Sequence, residues 1–163
     1  MPFKADHPLL AKLITRFPDA AKITEALGEV TITADRKQIL EIARFLRDDL
    51  KFEMLSDVTG VDYLTVQKLE APERYAVVYH LYHLGEKDWI RVKAWVPEGG
   101  DDASEGPALE SLVPLYGSAN WFEREVWDLY GIRFRHHPDL RRIMMAEDYE
   151  GFPLRKDFPM RGH

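Results

Sequence analysis

The chain has 163 residues, 45% hydrophobic and 31% charged, with a formal net charge of -6 and no cysteine. That composition suits one globular domain burying roughly two thirds of its unfolded surface, and the acidic balance argues against nucleic acid as the main partner. Without cysteine, thiolate-ligated iron–sulfur clusters, Cys zinc sites, disulfides and thiol nucleophiles are excluded, so any redox role is structural.

The opening residues Met1-Pro2-Phe3-Lys4-Ala5-Asp6 lack the apolar core of a signal peptide. No apolar run approaches the ~18 residues of a membrane span, so any membrane association is expected to run through other proteins. Leu9, Leu10, Leu13, Ile14 and Phe17 fall at helical spacing before Pro18, which predicts a first amphipathic helix. Gly28 to Thr33 alternates and reads as a short strand. Asp35 can cap a second helix whose Ile39, Ile42, Ala43, Leu46 and Leu50 form one stripe. Between Leu55 and Leu64 the pattern is mixed: Gly60 breaks it, and a strand is expected from Val61. Tyr75 to Leu84 is β-branched and aromatic, and Asp88 to Val96 alternates strictly. The break around Gly85 makes these an antiparallel hairpin. Ile90, Val92, Ala94 and Val96 point one way, and Trp89, Arg91, Lys93 and Trp95 the other.

An acidic, Gly-rich loop runs from Glu98 to Gly106, with a turn at Gly99-Gly100-Asp101-Asp102. Pro107 is expected to start a short helical segment that Pro114 interrupts. Asn120 then reads as the N-cap of a helix, with Glu123 in the capping-box position and Gly131 just past the end. On that helix Phe122, Val126, Leu129 and Tyr130 share one face. Arg124 and Asp128 are neighbours on another, which by composition alone is a solvated ion pair. No repeat or composition shift marks a second domain. The reading is an α+β body over 1–131, followed by an extended tail over 132–163.

The tail is unusual for a solvated segment. Seven of the 13 arginines fall in the last forty residues (Arg124, Arg133, Arg135, Arg141, Arg142, Arg155 and Arg161), against one of nine lysines, Lys156. Guanidinium groups bind carboxylates bidentately and desolvate more cheaply than ammonium, so the bias favours a buried or interfacial face. Asp128, Asp139, Glu147, Asp148 and Asp157 are interleaved and can brace the tail internally. Tyr149, Phe152 and Phe158 between prolines are aromatic surface that a disordered tail would lack. The tail is therefore expected to lie against a partner, and Phe152→Ala or Phe158→Ala to weaken assembly without lowering the melting of the free domain.

Candidate chemistry is thin. His136 and His137 are adjacent and followed by Pro138, so they are read as packed loop histidines. His80 and His83, three apart in a strand, face opposite ways. Glu123 and Glu125 diverge on a helix and make no acid/base pair. No phosphate loop, nucleophile elbow or HExxH is present. The aromatic pairs Tyr75/Tyr79 and Trp89/Trp95 are core or docking surface rather than a cofactor box.

One resemblance is specific. Glu123, Arg124, Glu125, Asp128, Leu129, Tyr130, His137, Arg141, Ile143 and Met144, followed by Asp148-Tyr149-Glu150-Gly151-Phe152-Pro153-Leu154-Arg155-Lys156-Asp157-Phe158-Pro159, resemble the signature of the 30 kDa-type subunit of the bacterial proton-translocating NADH:quinone oxidoreductase, respiratory complex I. The resemblance is tight over the last forty residues and rests on element order in the body. It implies a two-layer α/β domain with a mixed or antiparallel sheet, helices on one face, and a C-terminal extension lying over neighbours. It also implies a non-catalytic, cofactor-free subunit at the cytoplasmic face of the membrane. FMN, the iron–sulfur clusters and quinone would be bound by other subunits, and the partners would be the subunit that lines the quinone chamber and nearby iron–sulfur subunits. The expected partner-binding residues are Glu123, Arg124, Glu125, Asp128, Arg133, Arg135, His137, Arg141, Arg142, Tyr149, Phe152, Arg155, Lys156, Asp157 and Phe158. Within this picture Glu123, Asp128 and Arg124 would set the angle at which the tail leaves. The alternatives are the equivalent subunit of a membrane-bound [NiFe] hydrogenase or formate hydrogenlyase-type complex, and a stand-alone soluble enzyme or small-molecule binder using His136, His137 and the acids around them.

Overall fold

The computed structural model describes residues 3–65, 71–101 and 104–159. Asp102 of the acidic turn and Arg161 of the tail lie outside the described residues. In chain order the elements are α1 (Pro8–Arg16), β1 (Ala21–Ala26), β2 (Glu29–Ala34), a 3-10 turn (Arg36–Gln38) and α2 (Ile39–Asp48). These are followed by β3 (Met54–Asp62), β4 (Tyr75–His83), β5 (Asp88–Val96), β6 (Ala108–Glu110), α3 (Ala119–Tyr130) and β7 (Arg133–Arg135). The main sheet has the order β1-β2-β5-β4-β3. Its β2–β5 contact is parallel and the others are antiparallel, so the sheet is mixed and the fold is α+β.

The strictly alternating β5 sets the core. Ile90, Val92, Ala94 and Val96 are buried, and across the β4 ladder they meet Leu81, Tyr79, Val77 and Tyr75. On the other face Trp89, Arg91, Lys93 and Trp95 stay half-buried. There Lys93 sits 3.9 Å from the Trp95 ring centroid and donates to the Tyr63 hydroxyl at 2.7 Å. Helices α1 and α2 cover the apolar face. The α2 stripe of Ile39, Ile42, Ala43 and Leu46 is buried, and Leu50 just beyond it is fully buried; each such Leu or Ile contributes about 1.5–3 kcal/mol. Asp35 caps the 3-10 turn by accepting from Lys37 N, so the helical run starts where its capping side chain predicted.

Three local expectations change. Strand β3 is continuous from Met54 through Gly60, with a bulge between Leu55 and Asp57, rather than starting at Val61. Gly60 is needed there for space: a Cβ at this position would lie 2.7 Å from Cδ2 of Tyr130, whose ring lies on the strand. Gly60→Ala is expected to cost about 1–3 kcal/mol through overpacking, read as a lowered urea midpoint at unchanged m-value; an unchanged midpoint would show that the ring yields freely. The segment after Pro107 is not helical. Ala108–Glu110 forms β6, pairing in parallel with β7, because Leu109 and Phe134 are both buried apolar positions in a two-stranded ladder. Finally, the residue preceding α3 is Ser118, and its side chain makes no capping bond. Glu123 is turned instead toward the segment after β6.

Candidate functional site

Helix α3 carries three charged side chains on the face it buries: Glu123, Arg124 and Asp128. Glu123 and Asp128 are 0% exposed and Arg124 5%. A solvated Arg124–Asp128 ion pair is therefore not what the fold contains; Glu123 is sent to one piece of chain, and Arg124 and Asp128 to neighbouring residues of another.

Glu123 ties α3 to the body. Its Oε1 accepts from Leu112 N at 2.6 Å and its Oε2 from Ser111 Oγ at 2.6 Å. Ser111 Oγ in turn accepts from Val113 N. Burial pushes the Glu123 carboxyl up to about 7, against the pull of these two donors. His137 stands 4.0 Å from Glu123, its side chain fully buried. It has a donor and an acceptor of its own: Nε2 donates to Asn120 O at 3.1 Å, and Nδ1 accepts from Asp139 N at 3.0 Å. That pattern specifies the neutral tautomer, and burial lowers the His137 pKa in the same sense. The Tyr79 hydroxyl, buried in the core, has no hydrogen-bond partner among the described residues.

Arg124 and Asp128 hold the chain that follows β7. Arg124 lies against the Trp121 ring, 5.0 Å from its centroid, and donates to the carbonyls of Arg141 and Arg142 at 3.2 Å each. Asp128 Oδ2 accepts from three successive backbone amides, Ile143, Met144 and Met145, at 2.7 to 2.9 Å. Its Oδ1 accepts from Arg142 Nη1 at 2.5 Å. Burial alone would raise the Asp128 pKa, but these four donors outweigh it and keep the carboxylate ionised below the usual range. Arg142 then reaches onward, donating to the carbonyls of Tyr149 and Gly151 at 2.7 and 2.9 Å. Its guanidinium also faces the rings of Trp127, Tyr149 and Phe152.

Further along, the tail satisfies the open carbonyls at the C-terminus of α3. Leu154 N donates to Leu129 O at 3.0 Å, and Arg155 Nε donates to Tyr130 O at 2.6 Å. Gly131 turns the chain at φ 72. A Cβ there would lie 2.5 Å from Phe152 Cε2 and from Arg155 Nη2. Gly131→Ala should thus strain the backbone and displace the tail together, costing more than the ~1 kcal/mol of the left-handed conformation alone; protease sensitivity at Arg155 equal to wild type would contradict this.

The last fixed point is on the body. Asp62, 2% exposed, accepts from Lys156 N at 2.9 Å and Leu64 N at 2.9 Å and pairs with Arg74 at 3.1 Å. Arg74 extends to Asp157 at 2.8 Å and also contacts Glu98. Sequence reasoning passed over Asp62 and Arg74, since nothing local distinguishes an acid ending β3 or an arginine just before β4.

The tail therefore does not stand off the body waiting for a partner: from Arg141 to Phe158 its backbone and several side chains engage α3, β3 and β4. Phe152 faces Gly131, and Tyr149 stacks on Phe158 with centroids 6.2 Å apart. For this reason Phe152→Ala would also loosen the tail on its own chain. Glu123, Asp128 and the His137 side chain have no surface left to present. Arg135 is taken up by Glu105 and Asp101, at 2.6 and 2.9 Å. Asp101 also pairs with Arg36 at 2.5 Å. Arg141 is exposed beside Asp139, and Glu125, Arg133, Lys156 and Asp157 are exposed. His136 is exposed and contacts Glu110 at 2.7 Å, away from His137. Among the described residues no group of three or more His, Asp or Glu could hold a metal, and no helix is long and apolar enough to cross a membrane. The chemistry of the site is positional: buried charges fix a turn of backbone.

Residues 32–163 match the family described as respiratory-chain NADH dehydrogenase, 30 Kd subunit. The chain is 46% identical over 140 residues to an NADH-quinone oxidoreductase subunit of Geobacter sulfurreducens, covering 86% of this chain and 80% of that protein. Among solved structures it is similar to a trypsin-resistant fragment of Nqo5, with TM-score 0.67 and 35% identity, covering 81% of this chain and 96% of that one. It shares its fold with a chain of a membrane-bound sulfane sulfur reductase, an archaeal respiratory membrane complex, at TM-score 0.77 and 20% identity, covering 96% of this chain and 87% of that one.

Proposed function

The chain belongs to the 30-kDa subunit family of the respiratory-chain NADH dehydrogenase, and we propose that it braces the quinone-reducing module of an NADH:quinone oxidoreductase without catalysing a step itself. Electrons would pass from NADH through FMN and iron–sulfur clusters to quinone on other subunits. This chain would hold the quinone-chamber subunit and the neighbouring iron–sulfur subunits in register at the cytoplasmic face, reaching the membrane only through them.

The observation that carries this reading is the clasp of Arg124 and Asp128 on residues 141–145. A helix end that commits buried charges to an irregular segment is building a rigid surface from chain that could not order itself, since fixing backbone costs about 1–2 kcal/mol per residue. That surface carries large apolar side chains outward: Trp121 and Met144 are each 62% exposed and Leu154 45%. Trp121 is stacked on Arg124 and so is held in place, as a central interface anchor must be. The hydrogenase-type alternative has less behind it, because the sulfane sulfur reductase likeness speaks only for the fold.

The test is affinity purification of the tagged chain from detergent-solubilised native membranes. Co-purification with an FMN-containing, NADH-oxidising assembly is expected. Recovery with a nickel-iron large subunit, or as a lone monomer, would overturn the reading.

A further inference from the structure

The two edges of the main sheet are treated differently. Strand β3 is covered by α3, whose Val126, Leu129 and Tyr130 line a crevice with Val58 and Gly60. Among the described residues, strand β1 at the opposite edge pairs only with β2. The β1–β2 hairpin closes with Ala26 opposite Glu29, so 26/29, 24/31 and 22/33 are the hydrogen-bonded pairs. The bond from Asp35 N to Ala20 O at 2.7 Å continues the same parity. It follows that the N–H and C=O groups of Ile23 and Glu25 point away from β2, and among the described residues no backbone group pairs with them. Ala21 N, which points the same way, is already taken by Phe17 O at 3.1 Å.

Two further observations fall on the same hairpin. Leu27 occupies the turn at φ 55, a conformation that favours Gly, Asn or Asp, and its side chain is 103% exposed. A branched apolar residue held in the left-handed region and left fully to solvent buries no surface of its own in this fold. Beside the strand runs an open groove of about 1020 Å³, lined in part by Ala11 and Ile14 of α1 and by Ile23 of β1.

We propose that β1 is a β-augmentation site: an extended segment of a partner protein adds to the sheet at Ile23 and Glu25, lays alternate apolar side chains into the groove against Ile14, and takes Leu27 into an apolar pocket beyond the strand end. Free backbone groups specify an extended occupant, because only a strand supplies donors and acceptors at the ladder spacing. A second copy of this chain fits poorly. The antiparallel register that pairs Ile23 with Glu25, and so uses the outward groups of both, sets Leu27 opposite Ala21, which is already buried in its own chain. This inference rests on the reading of the chain as a subunit of an assembly.

The experiment compares amide exchange over residues 21–26 in the free full chain and in the purified assembly. In the assembly the Ile23 and Glu25 amides exchange on the order of 100-fold more slowly than in the free chain. Glu25→Pro removes one outward donor and leaves the β1–β2 ladder intact. It lowers incorporation about tenfold relative to Glu25→Ala, which keeps the N–H. The alanine variant also controls for the Glu25 carboxylate, which accepts from Ala5 N at 2.9 Å and is lost from both. Equal exchange in both states, or equal incorporation of the two variants, would refute augmentation while leaving the subunit reading standing. Protection that grows with concentration of the free chain would refute the partner strand in favour of a second copy. Failure of the wild-type chain to join any assembly would overturn the subunit reading, and this inference with it.

Discussion

Asp128→Ala is expected to release residues 141–152 from α3 while the five-stranded sheet stays folded. The carboxylate accepts from three backbone amides and from Arg142. Removing it therefore leaves three N–H groups without their acceptor and takes the carboxylate from the Arg142 guanidinium, which keeps only backbone carbonyls. Breaking such a buried charged cluster from one side costs about 3–5 kcal/mol, more than an isolated turn can retain. Because Val126 on the neighbouring turn still packs in the core, the loss is local. Amide exchange at 143–145 should rise toward the unfolded rate, trypsin should cut at Arg141 and Arg142, and the urea midpoint of the body should move far less than a global loss of that size. Asp128→Asn should be intermediate, since one oxygen remains but the amide nitrogen faces donors. Unchanged exchange at 143–145 in the alanine variant would mean that the other anchors of the tail, from Arg124 to Asp62, hold it without Asp128.

A second large effect concerns pH. The Glu123 carboxyl titrates near 7 in the folded chain, from an ordinary value of 4.5. Between those two values the folded state therefore holds a proton that the unfolded state has released. The stabilisation is full below pH 4.5 and is lost as pH rises through 7, by about 3 kcal/mol at ~1.4 kcal/mol per unit. His137 works in the opposite direction, its lowered pKa adding stability as pH rises through the ordinary histidine range. The useful quantity is thus the difference between wild type and Glu123→Gln. The amide can still accept from Leu112 N and donate to Ser111 Oγ, and it does not titrate. Urea unfolding from pH 4.5 to about 7, the window between those two values, should show Glu123→Gln gaining on wild type with rising pH and levelling off above it. A parallel pair of profiles would place the titration elsewhere. Glu123→Ala, which empties the site and leaves Ser111 and Leu112 unpaired, should be destabilised across the range.

Local pattern determined a good deal about this protein. Strict alternation over Asp88–Val96, the stripe from Ile39 to Leu50 and the glycine stop at Gly131 are signals of period 2, period 3.6 and backbone chirality, and each is complete within a dozen residues. The α+β class and the hairpin followed from them, and the family from the resemblance carried by Glu123, Arg124, Glu125, Asp128, His137 and the tail. Where charged residues sent their side chains was a different matter. Glu123 stood three residues past a good capping residue, and from sequence alone it belonged to a capping box. Only the pairing of β6 with β7 brings Ser111 and Leu112 within reach of it, and that contact joins segments far apart in the chain. Arg124 and Asp128, four apart on one helix, have every local reason to pair with each other. The tertiary structure separates them because residues 141–145 offer two carbonyls to one and three amides to the other, and a buried charge takes the partner that satisfies it most fully. The same holds for Asp62 and Arg74, ordinary in sequence and decisive once the tail crosses the body. Periodicity is written locally, whereas satisfaction of buried polar groups depends on which distant backbone the fold delivers, so the elements were legible in the sequence and the clasp was not.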